Sequence, residues 1–181
     1  MNRRKRSTHG VTLAELCIVM AVIAIVSTMV VSFTVLMQAR TRVIAADRDT
    51  IADIGLVEAA LDRFIGTYDS DEYTILRKQD SLSVSKDDNT VVATLKLSTD
   101  PETNEVNAIV ITDGEGKAEI TYLLNSVTKM TFQLEHSTPS GSATALVICK
   151  VSCKSTHGTE QVTKTSTICR AVRAMNLNTG G

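Results

Sequence analysis

The chain has 181 residues with 19 basic and 20 acidic side chains, and its formal net charge is −1 at pH 7. Four of the 19 basic residues lie within the first ten positions, which leaves 15 basic against 20 acidic residues in the remainder. This balance, with aromatic residues at only 3 %, argues against a general nucleic-acid-binding protein.

The first predicted element is an apolar helix that follows the basic cluster "NRRKR". Residues 16–37 carry no formal charge, and as a helix they would cover roughly 33 Å, enough to cross the hydrocarbon core of a bilayer. Glu15 lies close to the start of the apolar stretch. Its carboxylate adds little to the free energy of membrane insertion because it would lie near the interface. The positive flank predicts a single pass through the cytoplasmic (inner) membrane, with the N-terminus in the cytoplasm and the C-terminal domain outside.

Three simpler interpretations of this segment differ in what they explain. A secretory signal peptide has a shorter apolar core followed by a small-residue cleavage site, and no A-x-A pattern follows here. A lipoprotein anchor needs its cysteine after the core, whereas Cys17 precedes the core. A plain membrane anchor explains the apolar stretch and the basic flank, but leaves Gly10 and Glu15 without a role.

The segment "HG" followed by "VTLAELCIVMAVIAIV" resembles the N-terminus of type IV pilins and of the related pseudopilins of type II secretion and competence systems. The resemblance implies cleavage after Gly10 by a prepilin peptidase, N-methylation of the new terminal residue Val11, and Glu15 as the acid of the family. The chain departs from the usual pattern by having Val instead of Phe at the first mature position. It also lacks the proline that many pilins carry within the apolar run.

This resemblance gives Gly10 and Glu15 a physical role. Cleavage would expose a positively charged amine on Val11 at the edge of the apolar core, and such a charge needs a partner in a medium of low dielectric constant. The family implies that Glu15 of one subunit pairs with the amine of its neighbour and sets the register of a filament. The expected partners are the prepilin peptidase, other pilin or pseudopilin subunits, the inner-membrane assembly platform and membrane lipid, and the expected end state is an extracellular or periplasmic filament.

After residue 37 the helical pattern becomes amphipathic. Apolar residues recur at helical spacing and predict a buried stripe formed by Ile44, Ile51, Ile54, Val57, Leu61 and Phe64. Gly66 is expected to end the helix.

Residues 66–181 are predicted to form a β-rich domain. Short β-branched runs alternate with Asp, Asn, Ser and Gly clusters and predict strands at 73–77, 91–97 and 106–112, followed by an antiparallel meander over 118–172. A sheet covering the amphipathic part of the helix gives an α+β fold with a pilin-like arrangement.

Cys149 and Cys153 are four residues apart on one predicted strand, about 13 Å, and are too far apart to bond to each other. Either could bridge to Cys169 on the next strand, although a hairpin around "KSTHGT" would place Cys149 near Lys164 and Cys153 near Glu160. Free thiols buried as small apolar groups are the alternative that we favour.

Other chemistry has little support in the sequence. The acidic run "YDSDEY" (residues 68–73) lacks the pattern of a calcium loop, the cysteine spacing is not that of a zinc site, and no nucleophile and base recur at triad spacing. We therefore expect no metal, no cofactor and no enzymatic activity.

The predicted organisation has four parts. They are a leader peptide at 1–10, a transmembrane or filament-core helix at 11–37, the amphipathic half of the helix at 38–65, and a globular head at 66–181. The alternative function is that of a membrane-tethered extracellular β-domain that binds or adheres to a target, without cleavage or assembly.

Overall fold

A computed structural model of the chain describes residues 12–86, 90–137, 144–173 and 177–178. The chain divides into two compact units, Met1–Thr41 and Arg42–Gly181. The predicted cleavage residues Gly10 and Val11 lie outside the described residues.

Helix α1 (Leu13–Tyr68) supplies all the described helical structure of the first unit and the helical layer of the second. It ends two residues beyond Gly66, the predicted stop. Gly55, which costs roughly 1 kcal/mol relative to Ala in a helix interior, is accommodated without a break.

The described residues of the second unit form nine strands in addition to the helix. They are β1 (Tyr73–Arg77), β2 (Ser81–Lys86), β3 (Val91–Thr99), β4 (Val106–Asp113), β5 (Ala118–Leu123), β6 (Val127–Ser137), β7 (Thr144–His157), β8 (Glu160–Arg173) and β9 (Leu177–Asn178). The first sheet has the order β5-β4-β3-β2-β1-β9, and the second sheet has the order β6-β7-β8. All neighbours pair antiparallel except β1 and β9, which are parallel. The predicted α+β class is confirmed: a long N-terminal helix packs against antiparallel sheets.

The predicted meander over 118–172 is wrong in one respect. Strand β5 pairs with β4 in the first sheet, and the chain then turns at Asn125 and Ser126 and starts the second sheet with β6. Only β6, β7 and β8 form the expected meander.

Strand β2, "SLSVSK", was not predicted. Its serines are not among the β-branched and aromatic residues that are enriched in strands, but β2 lies in the interior of the first sheet between β1 and β3. Small hydroxyl side chains on one face and Leu82 and Val84 on the other are buried in this position.

One hydrophobic core holds the helix and both sheets of the second unit together. Phe64, Leu61 and Val57 of the helix meet apolar side chains of both sheets, including Leu82 and Ile109 of the first sheet and Phe132 and Val147 of the second.

The buried stripe of the helix differs from the predicted one. Val57, Leu61 and Phe64 are buried as predicted and Ile54 is half-buried, but Ile44 and Ile51 are 67 % and 55 % exposed. The buried face instead alternates four- and three-residue steps through Ala46, Thr50, Asp53, Val57, Ala60 and Phe64. Small or polar side chains occupy its N-terminal end, so apolar character alone does not reveal the buried face.

Candidate functional site

The first candidate site is the start of helix α1, where the sequence placed Glu15. This residue lies in the first turn of the helix and is exposed. The backbone N–H of Thr12 donates to Glu15 Oε2 at 2.9 Å, and the Thr12 hydroxyl donates to the same oxygen at 3.0 Å. In return, the Glu15 N–H donates to Thr12 Oγ1 at 3.3 Å.

These reciprocal hydrogen bonds are a capping box, in which a Thr and a Glu three residues apart satisfy N–H groups that the first turn leaves free. The T-x-x-E spacing was readable in the sequence, but the cap was not among the predictions. Glu15 therefore has a partner within its own chain, and removing its side chain removes both a charge and a helix cap.

The rest of the first unit presents an apolar helix surface. Its sixteen large apolar side chains between residues 13 and 37 are all exposed. By length and composition the helix could cross a membrane. The hydroxyls of Thr28 and Thr34 donate to the backbone carbonyls of Ile25 and Val30 within the same helix, so these polar groups need no water. The outer surface of this segment is therefore suited to lipid or to other apolar helices.

In the second unit, the helix is fixed to the β-structure by a buried carboxylate. Asp53 is 2 % exposed and its Oδ2 accepts three hydrogen bonds. The donors are the Asn125 N–H at 2.8 Å, the Ser126 N–H at 2.6 Å and the Ser126 hydroxyl at 2.8 Å. Because Asn125 and Ser126 form the turn between β5 and β6, Asp53 anchors the helix at the point where the chain passes from one sheet to the other.

Ion pairs and hydrogen bonds along the helix attach it to the hairpin of β7 and β8. Lys164 lies 2.5 Å from Asp47, and His157 Nε2 lies 2.7 Å from Asp49. Arg170 is hydrogen-bonded to both Glu58 and Asp62.

The spacing of these pairs follows the geometry of the two elements. Lys164 and Arg170 are six residues apart on β8, about 20 Å, and their partners Asp47 and Asp62 are fifteen residues apart on the helix, about 22 Å. Strand β8 therefore runs along the helix with matched charges.

The hydrogen bond from Arg170 lowers the pKa of Asp62 below its ordinary value.

The cysteines are free in the structure, so neither of the considered bridges to Cys169 is present. The predicted hairpin register was also wrong. The turn of β7 and β8 consists only of residues 158–159, with Gly158 at a φ of 65°, so Cys153 pairs with Lys164 and Cys149 with Ile168. Cys149 and Cys153 are buried, whereas Cys169 is exposed. Burial raises the pKa of Cys149 to about 12.

The acidic run that the sequence analysis considered for calcium is engaged by an arginine. Asp69 accepts the backbone N–H of Arg173 at 3.1 Å, and Asp71 accepts its guanidinium at 2.8 Å. Among the described residues, no group of three or more His, Cys, Asp or Glu side chains is arranged to hold a metal ion.

Comparison with known proteins does not assign the chain to a group. No family model, curated protein or solved structure matches it.

Proposed function

We propose that this protein is a structural subunit, a minor pilin or pseudopilin, of a type IV pilus-like filament. The observation that carries the proposal is a helix segment whose large apolar side chains are all exposed, with one carboxylate, Glu15, in its first turn. It is preceded by the "HG|VTLAE" sequence, typical of a prepilin cleavage site. Exposed apolar surface of this extent needs an apolar environment. The membrane supplies one before assembly, and a bundle of such helices would supply one in the filament.

In this proposal, prepilin peptidase cuts between Gly10 and Val11 and methylates Val11. The new amine is positive and lies four residues before Glu15. When helices bundle, the amine of one subunit and Glu15 of a neighbour attract each other strongly because the surroundings have a low dielectric constant. A register in which this pair forms is favoured over registers that leave either charge unpaired. Assembly requires the Glu15 carboxylate to exchange or share its hydrogen bonds with Thr12.

Processing is tested by co-expressing the full chain with prepilin peptidase and measuring the intact mass. We expect loss of residues 1–10 and addition of one methyl group, and Gly10→Val should block both. Gly55→Ala is the matched control, because a Cβ at Gly55 would meet nothing within 4 Å. A wild-type chain that stays full length would contradict the proposal and favour the membrane-tethered binding domain.

The role of Glu15 is tested by a variant that keeps the cap. Glutamine also serves at the third position of a capping box, so Glu15→Gln removes the charge while preserving the hydrogen bonds to Thr12. We expect normal membrane insertion and loss of incorporation into sheared filaments. Thr12→Ala, which weakens the cap by about 1 kcal/mol and retains the acid, is the control. Incorporation of Glu15→Gln at the wild-type level would exclude registration by charge.

A further inference from the structure

Strand β5 forms one edge of the six-stranded first sheet. It pairs with β4 on one side, and within the described residues no strand pairs with its other side. Leu123, its last residue, is 73 % exposed, more than any other large apolar side chain described in the second unit. The edge therefore presents unpaired backbone groups beside an exposed apolar side chain, and such an edge is a template for a further strand.

One hydrogen bond shows which backbone groups of β5 face the unpaired side. The Leu124 N–H donates to the Asn107 carbonyl at 2.9 Å, so the backbone of Leu124 is turned towards β4. Hydrogen-bonded and non-hydrogen-bonded pairs alternate along an antiparallel ladder, and this part of the register has no shift. Tyr122 is therefore also turned towards β4, whereas the N–H and C=O groups of Leu123 and Thr121 point away from it.

The edges formed by the other strands are short, covered or charged, which are common ways to prevent unwanted pairing. Strand β9 has two residues. Strand β6 lies against the first sheet, where the Phe132 N–H donates to the Gln79 carbonyl at 3.2 Å. Strand β8 carries Lys164, Arg170 and Arg173, whose side chains pair with acids of the second unit.

Strand β5 has such protection only at its start. The pairing with β4 shifts between Ile111 and Thr112, and Glu119 lies at this irregularity. From Ile120 to Leu123 the strand has no charge, no proline and no shift of register. This stretch is therefore open to pairing with another chain.

We propose that β5 pairs antiparallel with β5 of a second copy of this chain, in a register centred on Tyr122. Thr121 of each copy then lies opposite Leu123 of the other, and their outward N–H and C=O groups form four hydrogen bonds. Because directly opposite residues share a face of the sheet, each Thr121 also covers part of the exposed Leu123. Glu119 lies opposite Asn125, so the register brings no like charges together.

The hydrogen bonding favours a second copy as the occupant, since each copy supplies the donors and acceptors that the other leaves unpaired. A two-fold contact closes on the second copy and does not propagate. It is therefore separate from the helix contacts of the proposed filament. A contact made by one strand is small, as in transient complexes, so the dimer should depend on protein concentration.

Disulfide cross-linking tests the register in the full chain, purified in detergent with Cys17 and Cys169 replaced by serine. Tyr122→Cys should give linked dimers on oxidation by copper phenanthroline, because facing Cα atoms of a non-hydrogen-bonded pair lie about 4.5 Å apart, within disulfide range. Ile120→Cys is the matched control. It is half-buried on the same face, but its two copies would be offset by about 13 Å along the strands. Equal linking of both variants, or none through Tyr122→Cys, would overturn the proposal.

Sedimentation equilibrium in detergent tests the contact without introduced cysteines. Thr121→Pro removes two of the four hydrogen bonds and leaves the ladder with β4 intact, so the dissociation constant should rise about 30-fold. Thr121→Ala keeps the N–H and is the control. Unchanged circular dichroism and melting temperature would show that both variants fold.

Self-association that Thr121→Pro leaves unchanged would assign the dimer to another surface, such as the apolar helix, and contradict the proposal. A wild-type chain that stays monomeric, with Tyr122→Cys linked in cells to a different protein, would assign the edge to that protein's strand instead. These measurements require neither cleavage nor filament assembly, so their outcome is independent of the proposed function.

Discussion

The two halves of helix α1 are both rich in apolar residues, but they bury their side chains differently. In residues 13–37 every large apolar side chain is exposed, whereas between residues 46 and 65 eight side chains are buried. Two of those eight, Thr50 and Asp53, are polar and would not be selected by hydrophobicity. The apolar half therefore leaves its surface uncovered in the described structure, whereas the mixed half is held by core packing and by hydrogen bonds such as those of Asp53.

The largest expected loss of stability comes from a substitution on the buried face of the second half of helix α1. Phe64→Ala should lower the free energy of unfolding by about 3–5 kcal/mol because it opens a cavity in the core. Ile51→Ala removes an apolar side chain that is 55 % exposed, and should change stability by no more than about 0.5 kcal/mol. Denaturant unfolding of the full chain in detergent, followed by circular dichroism, measures both. Equal losses would show that the apolar stripe expected from the sequence is the buried one.

The next largest loss of stability is expected at Asp53, the buried carboxylate of the helix. Asp53→Ala leaves the N–H groups of Asn125 and Ser126 without their acceptor and should cost about 2–3 kcal/mol. Asp49→Ala removes a partly exposed carboxylate that is hydrogen-bonded to His157; it is the matched control and should cost less than about 1 kcal/mol. If the two variants unfold at the same denaturant concentration, Asp53 does not anchor the turn between the sheets.

A smaller effect is expected where the helix meets β8. Arg170→Gln removes contacts with Glu58 and Asp62, and partly exposed pairs of this kind contribute about 0.5–1 kcal/mol. Folding lowers the pKa of Asp62 below its ordinary 3.8, so the stabilisation is present above that pH and disappears as the pH falls through the folded-state pKa. The melting temperatures of wild type and variant should differ at pH 7 and converge below about pH 3.8. A difference that persists in acid would mean that Arg170 acts through packing.

The last prediction concerns the reactivity of the cysteine thiols and involves no change in stability. In a Cys17→Ser background, a maleimide reagent should label Cys169 in the folded protein and leave Cys149 and Cys153 unmodified. Burial protects these two thiols and raises the pKa of both, which suppresses the reactive thiolate. All three should react after denaturation. If Cys169 of the native protein is labelled only after a reductant is added, Cys169 forms a disulfide. That result would contradict the structure, in which the thiol of Cys169 is free.

Several elements followed from local pattern alone. The helix, its apolar first part and strands such as β3, β4 and β8 were predictable because apolar periodicity and β-branched runs act within a few residues of each other. Strand β2 was not, because its serines become buried only through their position between two neighbouring strands. The cysteine register failed because the turn between β7 and β8 is centred on residues 158–159, two residues later than predicted, and this displaces each pairing partner by four residues.

The fold class, the apolar segment and the position of Glu15 could be read from the sequence alone, because each depends on residues close together in the chain. Which helix face is buried, which carboxylate is enclosed and which sheet edge is left unpaired emerge only in the folded protein. Those outcomes depend on contacts such as Asp53 with Ser126 and Phe132 with Gln79, whose partners are 73 and 53 positions apart in the numbering. Pairing at such separations is fixed only when the strands and the helix have packed together.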